Sequence, residues 1–193
     1  MTDEHDDSKQ PSAGEKEALR LAMHDRVTGL PNQELFADRL MIAISLAKRN
    51  DWLLAVLFIS LPQFKPFCNA YGQDTGDLAL RSVAARLSLR ARGGDTVSRS
   101  SDDELLYLLV NPVNKENIRR VTQRVRDRLM QPVAVDTREL VIAPRIGIAV
   151  YPGDGIGVDT LIEHARAAMR QAANRSFGYI FFEADEEASP YTG

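Results

Sequence analysis

The residues of this chain that are best equipped for chemistry form a short acidic run between two apolar stretches. Asp102, Asp103 and Glu104 follow Ser101 and precede the apolar residues 105–110, a pattern that predicts the tip of a β-hairpin. Carboxylate oxygens are preferred ligands of hard divalent cations, so the three acids could hold a lone cation. Acids at an exposed hairpin tip are, however, more often simple soluble turn residues.

The strands that would position this turn are predicted from runs of apolar residues. Seven unbroken apolar residues, 53–59, are typical of a strand that is buried on both faces and ends at Ser60. Further strands are predicted at residues 133–135, 140–151 and 179–182. Strands and helices mix without strict alternation, which favours an α+β fold with helices covering a mainly antiparallel sheet.

Apolar periodicity also predicts the helices that cover this sheet. Asn32 is a suitable N-cap for one helix, Asp77 opens a second and Asn114 begins a third. The second is expected to end at Arg92-Gly93-Gly94, where glycine can adopt the left-handed conformation that stops a helix. The last long helix is expected to bury Leu161, Ala165, Ala168, Met169 and Ala172.

Length and composition predict a single globular domain. The chain has 193 residues, of which 44% are hydrophobic, and this is enough for one core. We expect a disordered acidic tail at residues 1–13, a helix at 14–24, the domain at 25–183, and a C-terminal tail or linker at 184–193.

Charge and cysteine content argue against several classes of protein. Lys9 and four acids lie in the first ten residues, so residues 11–193 carry 23 basic and 23 acidic side chains, and no nucleic-acid surface is expected. Cys68 is the only cysteine, which excludes an intramolecular disulfide and favours a reducing cytoplasm. With neither a long apolar run nor a signal peptide, no membrane contact by this domain is expected.

Four motifs follow one another from about residue 25 to residue 182. They are DRVTGLPN at 25–32, LFISLPQFK at 57–65, GQDTGD at 72–77 and RIGIAVYP at 145–152. Their order and spacing resemble those of the GGDEF domain, the diguanylate cyclase family. The resemblance implies a ferredoxin-like, adenylate-cyclase-like core in a bacterial protein of cyclic di-GMP signalling, with residues 14–24 as the helix that follows an upstream signalling domain.

The resemblance also implies a metal-dependent cyclase site that this chain has largely lost. The family takes metal-binding carboxylates from the end of the first strand and from the third hairpin position, which are Ser60 and Asp103 here. The two hairpin glycines, which allow close approach to a triphosphate, are replaced by Ser101 and Asp102, while Glu104 keeps the fourth position. Asp102 also adds a negative charge where polyphosphate would lie.

Recognition of guanine and phosphate is predicted to be weakened as well. The Asn and Asp with which the family reads guanine are Cys68 and Asp77 here, and a lysine of the last helix is Ala173. Lys65 keeps its family position. We therefore predict an inactive domain without a cofactor, which would use Mg²⁺ only if GTP still bound at Lys65 and Asp77. Plainer interpretations are a surface charge for Lys65, a helix-start acid for Asp77 and an apolar filler for Cys68.

A second site of the family is matched by Arg92-Gly93-Gly94-Asp95. In active relatives this Arg-x-x-Asp motif binds cyclic di-GMP, and arginine can pair with guanine or phosphate while a carboxylate accepts from guanine N1 and N2. A further arginine would come from the set Arg119, Arg120, Arg124 and Arg126. A helix end followed by a strand start explains the same motif without a ligand.

The leading hypothesis is an inactive GGDEF domain that serves as a regulatory or receptor module for cyclic di-GMP. A second hypothesis is a nucleotide-free scaffold that forms a homodimer or packs against an appended EAL or sensor domain. A third is weak diguanylate cyclase activity, and a fourth is GTP binding without turnover, with GTP less favoured as a ligand than cyclic di-GMP.

Overall fold

A computed structural model describes residues 12, 14, 18, 21–89, 91–135, 137–172 and 178–183 of the chain. Its strands are β1 (Leu54–Ser60), β2 (Thr96–Arg99), β3 (Glu104–Val110), β4 (Val133–Val135), β5 (Arg138–Leu140), β6 (Arg145–Tyr151) and β7 (Tyr179–Phe181). The helices outside the N-terminal segment are α1 (Gln33–Asn50), α2 (Phe64–Tyr71), α3 (Gln73–Ser88), α4 (Lys115–Leu129) and α5 (Val158–Gln171). Residues 21–23 are also helical.

The central sheet has five strands in the order β2-β3-β1-β6-β7, and β4 and β5 form a separate two-stranded sheet. The pairs β2–β3, β3–β1 and β1–β6 are antiparallel, whereas β6 and β7 are parallel. The predicted α+β fold with a mainly antiparallel sheet flanked by helices is therefore confirmed.

Strand β1 lies at the centre of the sheet and is buried on both faces, as its unbroken apolar run predicts. One face packs in a core cluster with residues of α3 and α4, and the other packs with residues of α1 and α5. Gly147 of β6 permits the close approach of α5, because a Cβ at this position would overlap the backbone of Ala165 and Met169. The sheet thus holds α3 and α4 on one side and α1 and α5 on the other.

Two predicted helix starts are confirmed by their hydrogen bonds. The backbone N–H of Leu35 donates to Asn32 Oδ1 at 2.9 Å, and that of Asn117 donates to Asn114 Oδ1 at 2.8 Å. Each asparagine satisfies a donor that the first helical turn leaves without a partner.

The prediction for the helix around Asp77 was wrong at both ends. Gly72, at a φ of 89°, separates α2 from α3, so α3 begins at Gln73 and Asp77 lies beyond its first turn. The helix ends at Ser88, well before Gly93 and Gly94. Asp77 is therefore not an acid in the first turn of a helix, and Arg92 does not lie at a helix end, so both of these interpretations are corrected.

The strand predicted at residues 140–151 is also interrupted. Leu140 ends β5 and Arg145 begins β6, with Pro144 between them. Proline has no N–H to donate to a sheet and favours an interruption. The expected tails at residues 1–13 and 184–193 lie almost entirely outside the described residues.

Candidate functional site

The C-terminal end of β1 and the tip of the β2–β3 hairpin lie next to each other at one end of the sheet, where the strands terminate. Ser60 is paired with Glu104 of β3 on one side and with Arg145 of β6 on the other. The backbone N–H of Leu61 donates to the carbonyl of Asp103 at 2.8 Å. The structure therefore brings Ser60 and the hairpin acids together, as predicted, but with an arginine beside the serine.

The hairpin turn closes without the torsions that call for glycine. Among the described residues, positive φ angles outside glycine occur at Asp51 and Asn111 and not at Ser101 or Asp102. What Ser101 and Asp102 add is side-chain bulk and, at Asp102, a charge that is 99% exposed.

The acidic side chains of the turn do not converge on a common point. Ser101 Oγ donates to Glu104 Oε2 at 3.1 Å, while Asp102 Oδ1 lies 3.9 Å from the guanidinium of Arg99. No group of three or more His, Cys, Asp or Glu side chains in the described part of the chain is placed to hold a metal ion. With a neutral Ser60 at the strand end, these residues do not fit a divalent-cation site.

Arg99 joins the hairpin tip to the N-terminal turn, a role that sequence reasoning missed. Its guanidinium donates to Asp25 Oδ2 at 3.0 Å, to the Ser101 carbonyl at 3.0 Å and to the Asp102 carbonyl at 3.3 Å. Burial acts to raise the pKa of Asp25, but hydrogen bonds from Thr28 and the charge of Arg99 outweigh it and leave that pKa lowered. The Asp25 carboxylate is thus held ionised as a fixed anchor.

The residual nucleotide-binding candidates lie on α2 and α3. Lys65 is exposed on α2, and Asp77 accepts a hydrogen bond from Gln73 Nε2 at 2.8 Å. Cys68 packs so closely on Gly76 that a Cβ there would overlap its sulfur, which agrees with a filler role. Burial, followed by the charges of Asp77 and Asp102, raises the pKa of the Cys68 thiol, so it stays protonated. Ala173 lies outside the described residues.

The Arg-x-x-Asp motif borders a groove of about 690 Å³ between α3 and α4, which we call the α3–α4 groove. Its charged lining residues are Arg86, Arg92, Asp95, Arg124, Asp127 and Arg128. Its apolar lining residues are Leu87, Leu89, Ala91, Tyr107, Leu109, Val121 and Val125. The groove therefore combines several guanidinium groups with an apolar wall.

The carboxylate of Asp95 is held by donors on three sides. Oδ2 accepts from the backbone N–H of Arg92 and from the Tyr107 hydroxyl, both at 3.2 Å, and Oδ1 accepts from the backbone N–H of Val110 at 3.0 Å. The Asp95 N–H donates in turn to the Arg92 carbonyl at 2.9 Å. These bonds fix the turn that presents the exposed side chain of Arg92.

The sequence left open which of four arginines completes the second site, and the structure distinguishes them by their positions. Arg124 lines the groove, whereas Arg119 and Arg120 both lie within salt-bridge distance of Glu116. Arg126 lies 3.8 Å from Asp127 and against Gly178, and it is not among the residues that line the groove.

Two groove arginines were missed by the sequence analysis. Arg128 follows Arg124 by four residues, and this i, i+4 spacing on a helix was a signal that could have found it. Arg86 comes from α3 and donates to the carbonyls of Gln131 and Pro132 at 2.6 and 2.7 Å. Its guanidinium therefore closes the groove against the end of α4.

Comparison with known proteins places this geometry in a family. The family profile described as "Diguanylate cyclase, GGDEF domain" matches residues 22–178. The bifunctional diguanylate cyclase/cyclic di-GMP phosphodiesterase MucR of Pseudomonas aeruginosa is 39% identical over 175 residues, which are 90% of this chain and 25% of MucR. The chain thus spans about a quarter of the length of this curated relative.

Solved structures share the fold. The GGDEF domain of TpbB (YfiN) from Pseudomonas aeruginosa is 30% identical with a TM-score of 0.78, over 83% of this chain and 94% of that domain. The GGDEF domain of DgcB from Caulobacter crescentus, solved in complex with c-di-GMP, is 21% identical with a TM-score of 0.75, over 84% of this chain and 94% of that one. At 21% identity the likeness to DgcB extends to the fold alone.

In the described part of this chain, no helix combines the length and the apolar character needed to cross a membrane.

Proposed function

The chain belongs to the GGDEF domain family of diguanylate cyclases, and on that premise we propose that it binds cyclic di-GMP in the α3–α4 groove without synthesising it. The observation that carries the proposal is the convergence of Arg92, Asp95, Arg124 and Arg128 on one groove. The hairpin acids, in contrast, form no metal-binding group within the described residues.

Loss of catalysis follows from the residues at the sheet edge. Joining two GTP molecules places negative charge on phosphate oxygens, and the family offsets this charge with metal ions held by carboxylates. Here Ser60 is neutral, and Asp102 adds an exposed negative charge at a hairpin position where the family resemblance places the triphosphate. At about 4 Å such a charge repels each phosphate charge by roughly 1 kcal/mol in water and more where solvent is excluded.

The α3–α4 groove has the size and chemistry that a cyclic dinucleotide requires. Its volume of about 690 Å³ lies within the range of roughly 300–1,000 Å³ that is usual for small-molecule sites. Guanidinium groups can bind phosphate or the O6 and N7 edge of guanine with paired hydrogen bonds. The apolar lining, in which Leu89 is 80% exposed, offers a surface for the flat bases.

The relatives support a regulatory role in cyclic di-GMP signalling. MucR carries both cyclase and phosphodiesterase activities in its name, and the DgcB domain is solved with c-di-GMP. We propose that this chain acts on a protein partner, such as an appended EAL or sensor domain, in a cytoplasmic setting. Homodimerisation is a second way in which the domain could transmit the binding of a ligand.

Isothermal titration calorimetry with cyclic di-GMP tests the proposal directly. The wild-type chain should release or absorb heat on binding, and Arg92→Ala should weaken binding by about 10- to 100-fold, because a charge-assisted pair is lost. Arg120→Ala is a matched control: this arginine lies on α4 but near Glu116 instead of the groove. Absence of any binding heat for the wild type would remove the receptor proposal.

A further inference from the structure

Tyr107 brings a buried ring and a polar tip to the floor of the α3–α4 groove. The residue is 2% exposed and packs in the core cluster between the sheet and α3 and α4. Tyr107 is among the lining residues of the groove, and its hydroxyl donates to Asp95 Oδ2 at 3.2 Å. A core position on β3 would accept an aliphatic side chain, so the hydroxyl is what distinguishes Tyr107.

The hydrogen bonds to Asp95 leave few acceptor positions on its carboxylate for a ligand. An ionised carboxylate offers about four acceptor positions, two on each oxygen. Arg92 N–H and Tyr107 O–H occupy Oδ2, and Val110 N–H occupies one position of Oδ1. One position on Oδ1 is therefore left for a ligand.

Guanine needs more than one acceptor position on the Asp95 carboxylate. Its N1–H and 2-amino group form two adjacent donors that pair with both oxygens of a carboxylate. For guanine to bind in this way, one donor on Oδ2 must leave. The Arg92 and Val110 donors are backbone groups within a fixed turn and sheet, whereas the Tyr107 hydroxyl needs only to rotate.

We infer that the Tyr107 hydroxyl competes with guanine for Asp95 and thereby sets both the affinity and the base preference of the groove. The inference rests on the proposed binding of cyclic di-GMP. Burial and then the charge of Asp95 raise the pKa of Tyr107, so the hydroxyl remains a donor throughout the neutral range. Removing it frees the second acceptor position of Oδ2 while the ring continues to fill the core.

The test compares two ligands that differ by one donor. Cyclic di-GMP presents N1–H and the 2-amino group, and its inosine analogue cyclic di-IMP presents N1–H alone, which matches the single free position of Asp95. In calorimetric titrations, Tyr107→Phe should bind cyclic di-GMP about tenfold more tightly than the wild type does. The same variant should bind cyclic di-IMP with unchanged affinity.

Tyr151→Phe is the matched control, because Tyr151 is a buried tyrosine of β6 that does not line the groove. Its affinity for both ligands should equal that of the wild type. A tyrosine that only stabilised the fold would change both affinities together, whereas a competitor changes their ratio.

The outcomes separate the two proposals. Tighter cyclic di-GMP binding by Tyr107→Phe, with cyclic di-IMP binding unchanged, supports the inference, whereas an equal gain for both ligands overturns it. Wild-type binding with an unchanged or weaker Tyr107→Phe overturns the inference and leaves the proposed function in place. Binding by neither protein overturns both.

A measurement on the wild type covers the case in which the variant does not fold. In protein labelled with ¹³C at the tyrosine ζ carbon, the Tyr107 resonance should shift on saturation with cyclic di-GMP and stay in place with cyclic di-IMP. Saturation with cyclic di-GMP without such a shift would overturn the inference.

Discussion

At the scale of single residues, Asp95 stabilises the fold in a way that its position in the Arg-x-x-Asp motif does not reveal. Its carboxylate accepts from the N–H groups of Arg92 and Val110 and from the Tyr107 hydroxyl. It thereby joins the loop before β2 to the end of β3. Substitutions at Asp95 consequently change the fold as well as the groove, whereas Arg92 is exposed and its side chain can be changed by itself.

Asp95→Ala is predicted to lower the free energy of unfolding by about 2 kcal/mol. The substitution leaves the partly buried Val110 N–H and Tyr107 hydroxyl without an acceptor, and each such donor costs about 1–3 kcal/mol when desolvated. Urea denaturation measures the change. Asp127→Ala, at an exposed acid of the same groove, should stay within about 0.5 kcal/mol of the wild type. An Asp95→Ala protein as stable as the wild type would contradict this role.

The sequence identified candidate site residues where a motif fixes their positions. Ser60 and the hairpin residues were identified in this way, and the structure brings them to one sheet edge. The sequence could not show that Arg124, and not Arg119, Arg120 or Arg126, lines the groove. The direction of each side chain depends on how α4 packs. The hydrogen bond between Tyr107 and Asp95 was equally hidden, since nothing in an apolar strand marks one ring as facing a carboxylate.

At the scale of elements, the N-terminal turn and the hairpin tip form one connected unit. Arg99 donates to the side chain of Asp25 and to two carbonyls of the hairpin, and its N–H donates to the Pro31 carbonyl at 3.0 Å. The Arg99 side chain is only 10% exposed. These bonds link the segment that contains Asp25 to the hairpin tip through a single side chain.

The stability that Asp25 contributes is predicted to depend on pH below its ordinary pKa of 3.8. Because the pKa of Asp25 is lowered in the folded state, the unfolded chain binds more protons in that range, and stability rises with pH. The contribution is complete above the unfolded value and is lost as pH falls through the folded one. Urea denaturation of the wild type and Asp25→Asn at about pH 6 and at about pH 3 measures it.

The difference in unfolding free energy between these two proteins should shrink at the lower pH. Asp38→Asn is a suitable control, because Asp38 lies on α1 away from the Asp25–Arg99 pair. Its difference from the wild type should be small at both pH values. A gap between wild type and Asp25→Asn that is equal at both pH values would contradict the anchoring of Asp25 by Arg99.

Elements were predicted well where their signals are local. Asn32 and Asn114 cap helices because the capping bond joins residues three apart, and the run at 53–59 needs only its own composition to indicate a buried strand. The break at Gly72 was missed, because the positive φ of a glycine cannot be read from its identity alone. The pairing of Asp25 with Arg99 was missed because it joins residues 74 positions apart.

At the scale of the whole molecule, the two candidate sites lie at different places on the same fold. The candidate cyclase site draws on the end of β1, the hairpin and the neighbouring helices α2 and α3, so catalysis there would need suitable residues on several elements at once. The α3–α4 groove is built from α3, α4 and β3 together with the loop that carries Arg92 and Asp95. None of the groove residues named above is among the positions at which the first site departs from the family pattern.

Synthesis of cyclic di-GMP is predicted to be absent in the wild type and to remain absent after Ser60→Asp. The new carboxylate restores one metal ligand, but Asp102 still opposes the triphosphate and Cys68 still replaces an amide at the base position. Chromatography of a reaction with GTP, excess protein and Mg²⁺ or Mn²⁺ measures the product, with Ser60→Asn as the neutral control. Product from the wild type would contradict the loss of catalysis. Product from Ser60→Asp but not from Ser60→Asn would mean that one carboxylate, and not defects spread over several elements, had silenced the site.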